Sequence, residues 1–287
     1  MVMVPLLQKT FTFSLMSNFL TDPVAAYAPE SGGVDGSTDW LAALKDAPEK
    51  NQLQIIQEFA GMGEMGLERL MQFLLDQAPG PSSEARFTSD VPPNGLATHP
   101  WKPNLAMGKA YQLLLAANAP HLTHFLQTHF PEGVVPLRSQ ANIDYKPLQT
   151  LLAQQDFQAA DQMTLQKFCE VAGSASVQRK WVYFTEVDQF PIEDLHTINA
   201  LWLVHSEGLF GFTVQREIWL SVGKNWEKFW PKIGWKAGNN WTRYPQEFTW
   251  NLTAPRGHLP LSNQLRGVRV IAALMTHPAW TKVDQTL

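Results

Sequence analysis

The sequence predicts an all-α protein. Three observations carry that expectation. Apolar residues recur at three- and four-residue spacing through most of the chain. Thr, Asp or Pro stands where such segments begin and Gly where several end, and alternating strand-like runs are few. The 287 residues suffice for one large or two modest domains, and 45% hydrophobic content can fill a core.

Residues 1–37 are expected to be a disordered lead, with a Pro/Gly/Ser-rich stretch, DPVAAYAPESGGVDGS, over residues 22–37. The first residues lack the basic start and uninterrupted apolar run of a secretory signal. Helical periodicity begins near Thr38, where Thr38 or Asp39 can cap TDWLAALKDA. NQLQIIQEFAGMG and GLERLMQFLLDQ follow, then a linker or long loop over residues 78–95, then PNLAMGKAYQLLLAAN and HLTHFLQTHF. These short helices form an expected N-terminal bundle over residues 38–137, with Trp40, Leu44, Leu53, Ile56 and Leu70 in its core.

A second domain is expected over residues 138–287. Asp144 precedes YKPLQTLLAQQ, and Asp156 opens FQAADQMTLQKFCEVAG, which ends at Gly173. Pro191 suits the first position of a helix running to about His205 and stopping at Gly208. FGFTVQREIWLSVG has strand-like aromatic density, but Val214, Ile218 and Trp219 fit one helical face, and it is assigned as helix. The last helix is expected over residues 261–277.

Signatures of catalysis are scarce. The chain has no GxGxxG, Walker A, HExxH or GxSxG motif. His121, His124 and His129 lie close together, but no Cys, Asp or Glu completes a metal set, and no metal site is expected. His196 and His205 fall on opposite sides of one helix, and His196 is expected to brace a neighbouring turn. Asp188, Glu193 and Asp194 surround a helix start, where they favour the dipole. Cys169 lies in an apolar helical setting and reads as a buried structural thiol.

Charge and aromatic content point elsewhere. The whole chain carries a net charge of −4, yet residues 210–270 hold nine Lys or Arg against three Glu. Nine of the eleven Trp lie in residues 181–287. Trp202 and Trp219 fall inside apolar helices and belong to the core. The segment WPKIGWKAGNNWTRYPQEFTW, residues 230–250, is too broken by Gly and Pro for one helix face. Its six aromatic rings either clamp the loop onto the domain or line a concavity. Asn263, Arg266 and Arg269 at three-residue spacing cover one helix flank and can offer an amide and two guanidiniums to a carboxylate. Flat apolar surface with local positive charge suits a planar anionic small molecule. The alternative is single-stranded nucleic acid stacked on the rings, but such binders carry a wider basic footprint.

The motifs YFTEVDQFP, DLHTINALWLVHS, FWPKIGWKAGNNWTRYP, FTWNL, GHLPLSNQLRGVRV and HPAW, in that order over about residues 143–280, resemble the genomes-uncoupled-four family. These are porphyrin-binding regulators of magnesium chelatase in chlorophyll synthesis. The preceding helices resemble the extra N-terminal domain of cyanobacterial members. The resemblance implies an all-helical cupped-hand domain that binds protoporphyrin IX and Mg-protoporphyrin IX as ligands, with no intrinsic cofactor and no catalysis of its own. The implied partner is the large porphyrin-binding subunit of magnesium chelatase, with no nucleic acid. The protein is expected to be a monomer in the cyanobacterial cytoplasm with peripheral thylakoid association. Carried over motif by motif, Phe184 belongs to the cavity floor and Trp241 and Tyr244 to a loop closing over the macrocycle, with Val187 and Trp235 also expected among the porphyrin-binding residues. Asn263, Arg266 and Arg269 belong to the polar edge. Many relatives carry Trp where Tyr244 stands. His196, His258 and water remain open as axial ligands to a bound magnesium.

Overall fold

A computed structural model describes residues 39–78, 104–261 and 268–280. Among the described residues the regular structure is helical except for one two-stranded ribbon. The chain divides into two compact units, Met1–Trp40 and Leu41–Leu287. Of the first unit only residues 39 and 40 are described, so the account below concerns the second. The expected lead over 1–37 lies outside the described residues.

The described helices are α1 (Asp39–Asp46), α2 (Glu49–Ala60), α3 (Glu64–Gln77), α4 (Leu105–Ala117) and α5 (Pro120–His129), as the bundle reading expects. They continue with α6 (Lys146–Ala153), α7 (Phe157–Ala172), α8 (Ser174–Arg179), α9 (Phe184–Val187), α10 (Ile192–His205), α11 (Phe212–Ser221), α12 (Trp226–Lys232) and α13 (Arg269–Thr276). The local signals explain the boundaries. Asn104 and Asp156 each accept a hydrogen bond from a first-turn amide, capping α4 and α7. Gly173, at φ 103°, ends α7 and lets α8 start at once in a new direction. The ambiguous FGFTVQREIWLSVG segment is helix, because Val214, Ile218 and Trp219 all face the core. Leu44, Ile56 and Leu70 are fully buried as expected, whereas Trp40 and Leu53 are half-buried. Trp202 has no exposed surface, and its indole N–H donates to Thr164 Oγ1 at 3.0 Å.

Helix α4 joins the bundle to the rest of the unit. A Cβ on Gly108 would lie 2.3 Å from the Val204 carbonyl oxygen, so α4 and α10 cross backbone to backbone where only glycine fits. One turn on, Gln112 Nε2 donates to the carbonyls of His205 (3.0 Å) and Leu152 (3.3 Å), tying α4 to both α10 and α6. Lys109 pairs with Glu207 at 2.5 Å beside the same crossing.

His205 is wholly buried at this seam, and neither ring nitrogen has a hydrogen-bond partner. Burial therefore pushes its pKa down to about 3. An unfolded imidazole takes a proton near pH 6.5, so the unfolded chain binds the extra proton first. The stability that the neutral ring contributes is complete above about pH 6.5 and is lost as pH falls toward 3, by up to about 1.4 kcal/mol per pH unit. Urea unfolding at pH 7, 6 and 5 is expected to show this slope as the difference between the chain and its His205→Leu variant. Parallel profiles for the two would contradict it.

Asp194 has a role the sequence did not suggest. It sits in the first turn of α10 but is turned toward the segment before α6. Its oxygens accept from Ser139 Oγ (2.5 Å), Gln140 N (2.9 Å), Ala141 N (3.1 Å) and Tyr145 OH (2.9 Å). It is 1% exposed. The charge expected to favour the helix dipole also pins the chain between the bundle and α6.

Candidate functional site

The Trp-rich segment is neither all clamp nor all wall. Asn225 caps α12 by accepting from Lys228 N at 3.0 Å. After Gly234, at φ 72°, the chain forms a short antiparallel ribbon, β1 (Lys236–Ala237) with β2 (Asn240–Trp241), pairing Lys236 with Trp241. Gly238, at φ 60°, supplies the left-handed backbone its two-residue turn needs. Trp230, Trp235 and Phe248 turn inward and are buried. The Trp235 indole N–H donates to the His258 carbonyl at 2.8 Å.

Trp241 and Tyr244 turn outward, 47% and 36% exposed. Trp241 leans on Trp230, with centroids 5.5 Å apart, and the Lys236 ammonium lies 5.4 Å from its centroid. Lys236 is itself paired with Glu227 at 2.6 Å. Tyr244 packs edge-on against Trp250 at 5.8 Å, and its hydroxyl accepts from Gln162 Nε2 of α7 at 3.2 Å. Burial raises the Tyr244 pKa, with the Gln162 bond opposing and the neighbouring Asp161 adding to the rise.

A second group lies at α9 and α13. Phe184 is half-buried, and the Arg269 guanidinium stands over its ring at 5.4 Å. Of the expected site residues, the structure thus joins Phe184 with Arg269. Trp241 and Tyr244 sit together on the ribbon and the turn after it. No hydrogen bond or ring contact links these two groups among the described residues. Val187 and Trp235 have no exposed surface and back their neighbours instead of presenting a face. Asn263 and Arg266 lie outside the described residues, as does most of the first half of the helix expected over 261–277. Its described part begins at Arg269.

The two histidines that could reach a bound metal, His258 and His196, are both held by hydrogen bonds. His258 is 2% exposed. Its Nδ1 donates to the Ile233 carbonyl at 2.6 Å, and its Nε2 accepts from Thr249 N at 3.2 Å, so both nitrogens are engaged and neither is free to ligate a metal. His196 Nε2 donates to the Ala279 carbonyl at 2.8 Å, the bracing role expected of it. No cluster of three metal-ligating side chains occurs among the described residues. No helix among them is long and apolar enough to cross a membrane.

Two residues near the site, Gln162 and Asp161, escaped the sequence reading. Gln162 supports Tyr244 as described. Asp161, 6% exposed, accepts from Leu261 N at 2.7 Å, and burial raises its pKa to about 7. Only its place in α7, beside polar Gln162 on an otherwise buried face, hinted at a role. A separate cleft of about 300 Å³ opens among Tyr111, Leu126, Phe130 and Lys146, and none of the expected site residues lines it.

The described residues thus form a protein of helical class that presents two exposed rings, Trp241 and Tyr244, on a short ribbon and turn, with the Lys236 ammonium beside Trp241. Residues 138–278 match the model of the GUN4-like family. The chain is 49% identical to the Ycf53-like protein of Synechocystis over 248 residues, 86% of this chain and 98% of that one. It is 39% identical to the chloroplastic tetrapyrrole-binding protein of Arabidopsis thaliana over 146 residues, 48% of this chain and 55% of that one. Among solved structures, GUN4 from Chlamydomonas reinhardtii aligns with 41% identity and a TM-score of 0.47, covering 50% of this chain and 95% of that one. The chain belongs to the GUN4-like family.

Proposed function

We infer that this protein binds porphyrins, protoporphyrin IX and Mg-protoporphyrin IX, without transforming them, and stimulates magnesium chelatase in chlorophyll synthesis. The observation that carries the reading is the exposed pair Trp241 and Tyr244, two flat faces held outward on a short ribbon and turn. The arginine at Phe184 supplies a cation for a propionate, and the family motif assigns Asn263 and Arg266 to the same polar edge. The tetrapyrrole-binding relative from Arabidopsis supports the ligand class. The partner is the large porphyrin-binding subunit of the chelatase. Residues 138–287 hold the site, and the preceding helices buttress it through Gly108 and Gln112.

The energetics suit a carrier. Sandwiching a porphyrin removes roughly 300 Å² of apolar surface from water, worth about 7 kcal/mol. Loop ordering and lost rigid-body freedom take several kcal/mol back. One or two charge-assisted bonds restore about 1.5–3 kcal/mol each. The balance lies near a micromolar dissociation constant, about −8 kcal/mol.

The ion pairs favour this reading over a nucleic-acid module. All three glutamates of residues 210–270 are engaged, pairing Lys236–Glu227, Arg243–Glu247 and Arg256–Glu217, so three of the nine cations of the stretch are already held by carboxylates. A phosphate track needs its cations free.

Arg269→Ala is expected to weaken porphyrin binding about tenfold or more, equivalent to ~1.4 kcal/mol. Lys224→Ala, whose ammonium lies over the buried ring of Trp219, is expected to change it less than about twofold, ~0.4 kcal/mol. Fluorescence-quenching titrations of both variants decide, and equal effects would contradict the polar-edge assignment.

A further inference from the structure

Four indoles form a continuous stack. Trp219 and Trp226 have centroids 5.1 Å apart at 30°, Trp226 and Trp230 5.1 Å at 19°, and Trp230 and Trp235 5.7 Å at 8°. Trp230 is also the ring on which exposed Trp241 leans. Aromatic pairs that only pack adopt edge-to-face contacts as readily as stacked ones. Within the stack the successive planes lie within 30° of parallel, and exposed Trp241 joins it through a tilted contact with Trp230 at 59°, so every step from the exposed ring inward spans 5.7 Å or less between centroids.

The surroundings of each ring differ in a way that gives the path a direction. An indole that loses an electron becomes a cation and then a strong N–H acid. A positive charge over the ring opposes that loss. Lys236 stands over Trp241 at 5.4 Å, and Lys224 over Trp219 at 5.7 Å. Trp230 and Trp235 are 3% and 0% exposed, and a lone charge is costly to hold there. The Trp235 N–H points at a carbonyl, which is no base, and the Trp219 N–H is buried with no acceptor. Trp226 alone among the stacked rings is half-buried, and no cation stands over it among the described residues. It can pass its proton to water and rest as a neutral radical.

We propose that this stack is an electron-transfer path that moves oxidative damage from Trp241 to Trp226. A one-electron oxidant of the peroxyl-radical class takes an electron from Trp241 and is itself reduced by one electron. Trp230 refills Trp241, and Trp226 refills Trp230. Trp226 then releases its Nε1 proton to water, and a thiol or ascorbate later returns a hydrogen atom. The binding face is thereby kept intact. The need for this rests on the porphyrin reading, because a light-absorbing macrocycle in air generates such oxidants. The path itself does not depend on it.

The test uses the full chain without any tetrapyrrole. Azidyl radicals, generated by radiolysis in azide buffer, oxidise tryptophan by one electron, and peptide mass mapping then locates the oxidised rings. Oxidation at Trp226 is expected to exceed that at Trp241 by twofold or more, although Trp241 is the more exposed. Trp230→Phe is expected to reverse the order and raise Trp241 oxidation several-fold. Should that variant not fold, Trp226→Phe, at the half-buried end, is expected to give the same rise at Trp241. Yields that follow exposure and do not respond to either substitution would overturn the proposal. Failure of porphyrin to bind, measured separately, would remove the source of oxidant but leave this result unchanged.

Discussion

Replacing Asp194 with alanine is expected to destabilise the protein by about 3–5 kcal/mol, the range seen when one partner of a buried charged network is removed. The carboxylate accepts four hydrogen bonds, from Ser139, Gln140, Ala141 and Tyr145, and is 1% exposed. Removing it leaves two backbone amides and two hydroxyls facing a void. Each buried group left unpaired adds about 1–3 kcal/mol, though such values do not sum simply. Asp194→Asn keeps the shape and one acceptor oxygen, so its loss is expected to be smaller, about half. Urea unfolding of the three proteins tests the ranking. A loss under about 1 kcal/mol for alanine, the size of an ordinary surface change, would show that the segment 139–145 does not depend on Asp194.

The double substitution Trp241→Ala with Tyr244→Ala is expected to weaken porphyrin binding about 100-fold, since burying each ring against a macrocycle is worth about 1.5 kcal/mol or more. The fold is expected to survive, because these rings are 47% and 36% exposed and already face solvent. Trp235→Ala provides the contrast. That ring is 0% exposed, stacked on Trp230 and hydrogen-bonded to His258. Its removal is expected to lower stability by about 3–5 kcal/mol. Porphyrin titrations and thermal unfolding on both proteins separate the roles. Unchanged affinity in the folded double variant would exclude these rings from the site.

Much of the fold was legible because helices are local objects. Asp156, Gly173 and the apolar spacing of Val214, Ile218 and Trp219 each act within a few residues of themselves, and each marked its helix correctly. What escaped depends on partners far along the chain. Asp194 reads as a dipole charge until Ser139 and Tyr145, more than forty residues earlier, are seen to close on it. Asp161 holds Leu261, a hundred residues on. Within residues 230–250 the sequence could not divide wall from clamp, because the division depends on Gly234 and Gly238 turning Trp235 inward and Trp241 outward. The family motifs named Trp241 and Tyr244, which are exposed, but also Val187 and Trp235, which are fully buried and present no face to solvent.

A tetrapyrrole is expected to engage the exposed rings Trp241 and Tyr244 and the Phe184–Arg269 pair. Titration of the purified full-length protein into protoporphyrin IX tests it most directly. The account predicts a saturable shift and sharpening of the Soret band at one porphyrin per chain, with a dissociation constant on the order of micromolar. A Soret band that stays as it is in buffer alone, at protein concentrations well above that value, would contradict it.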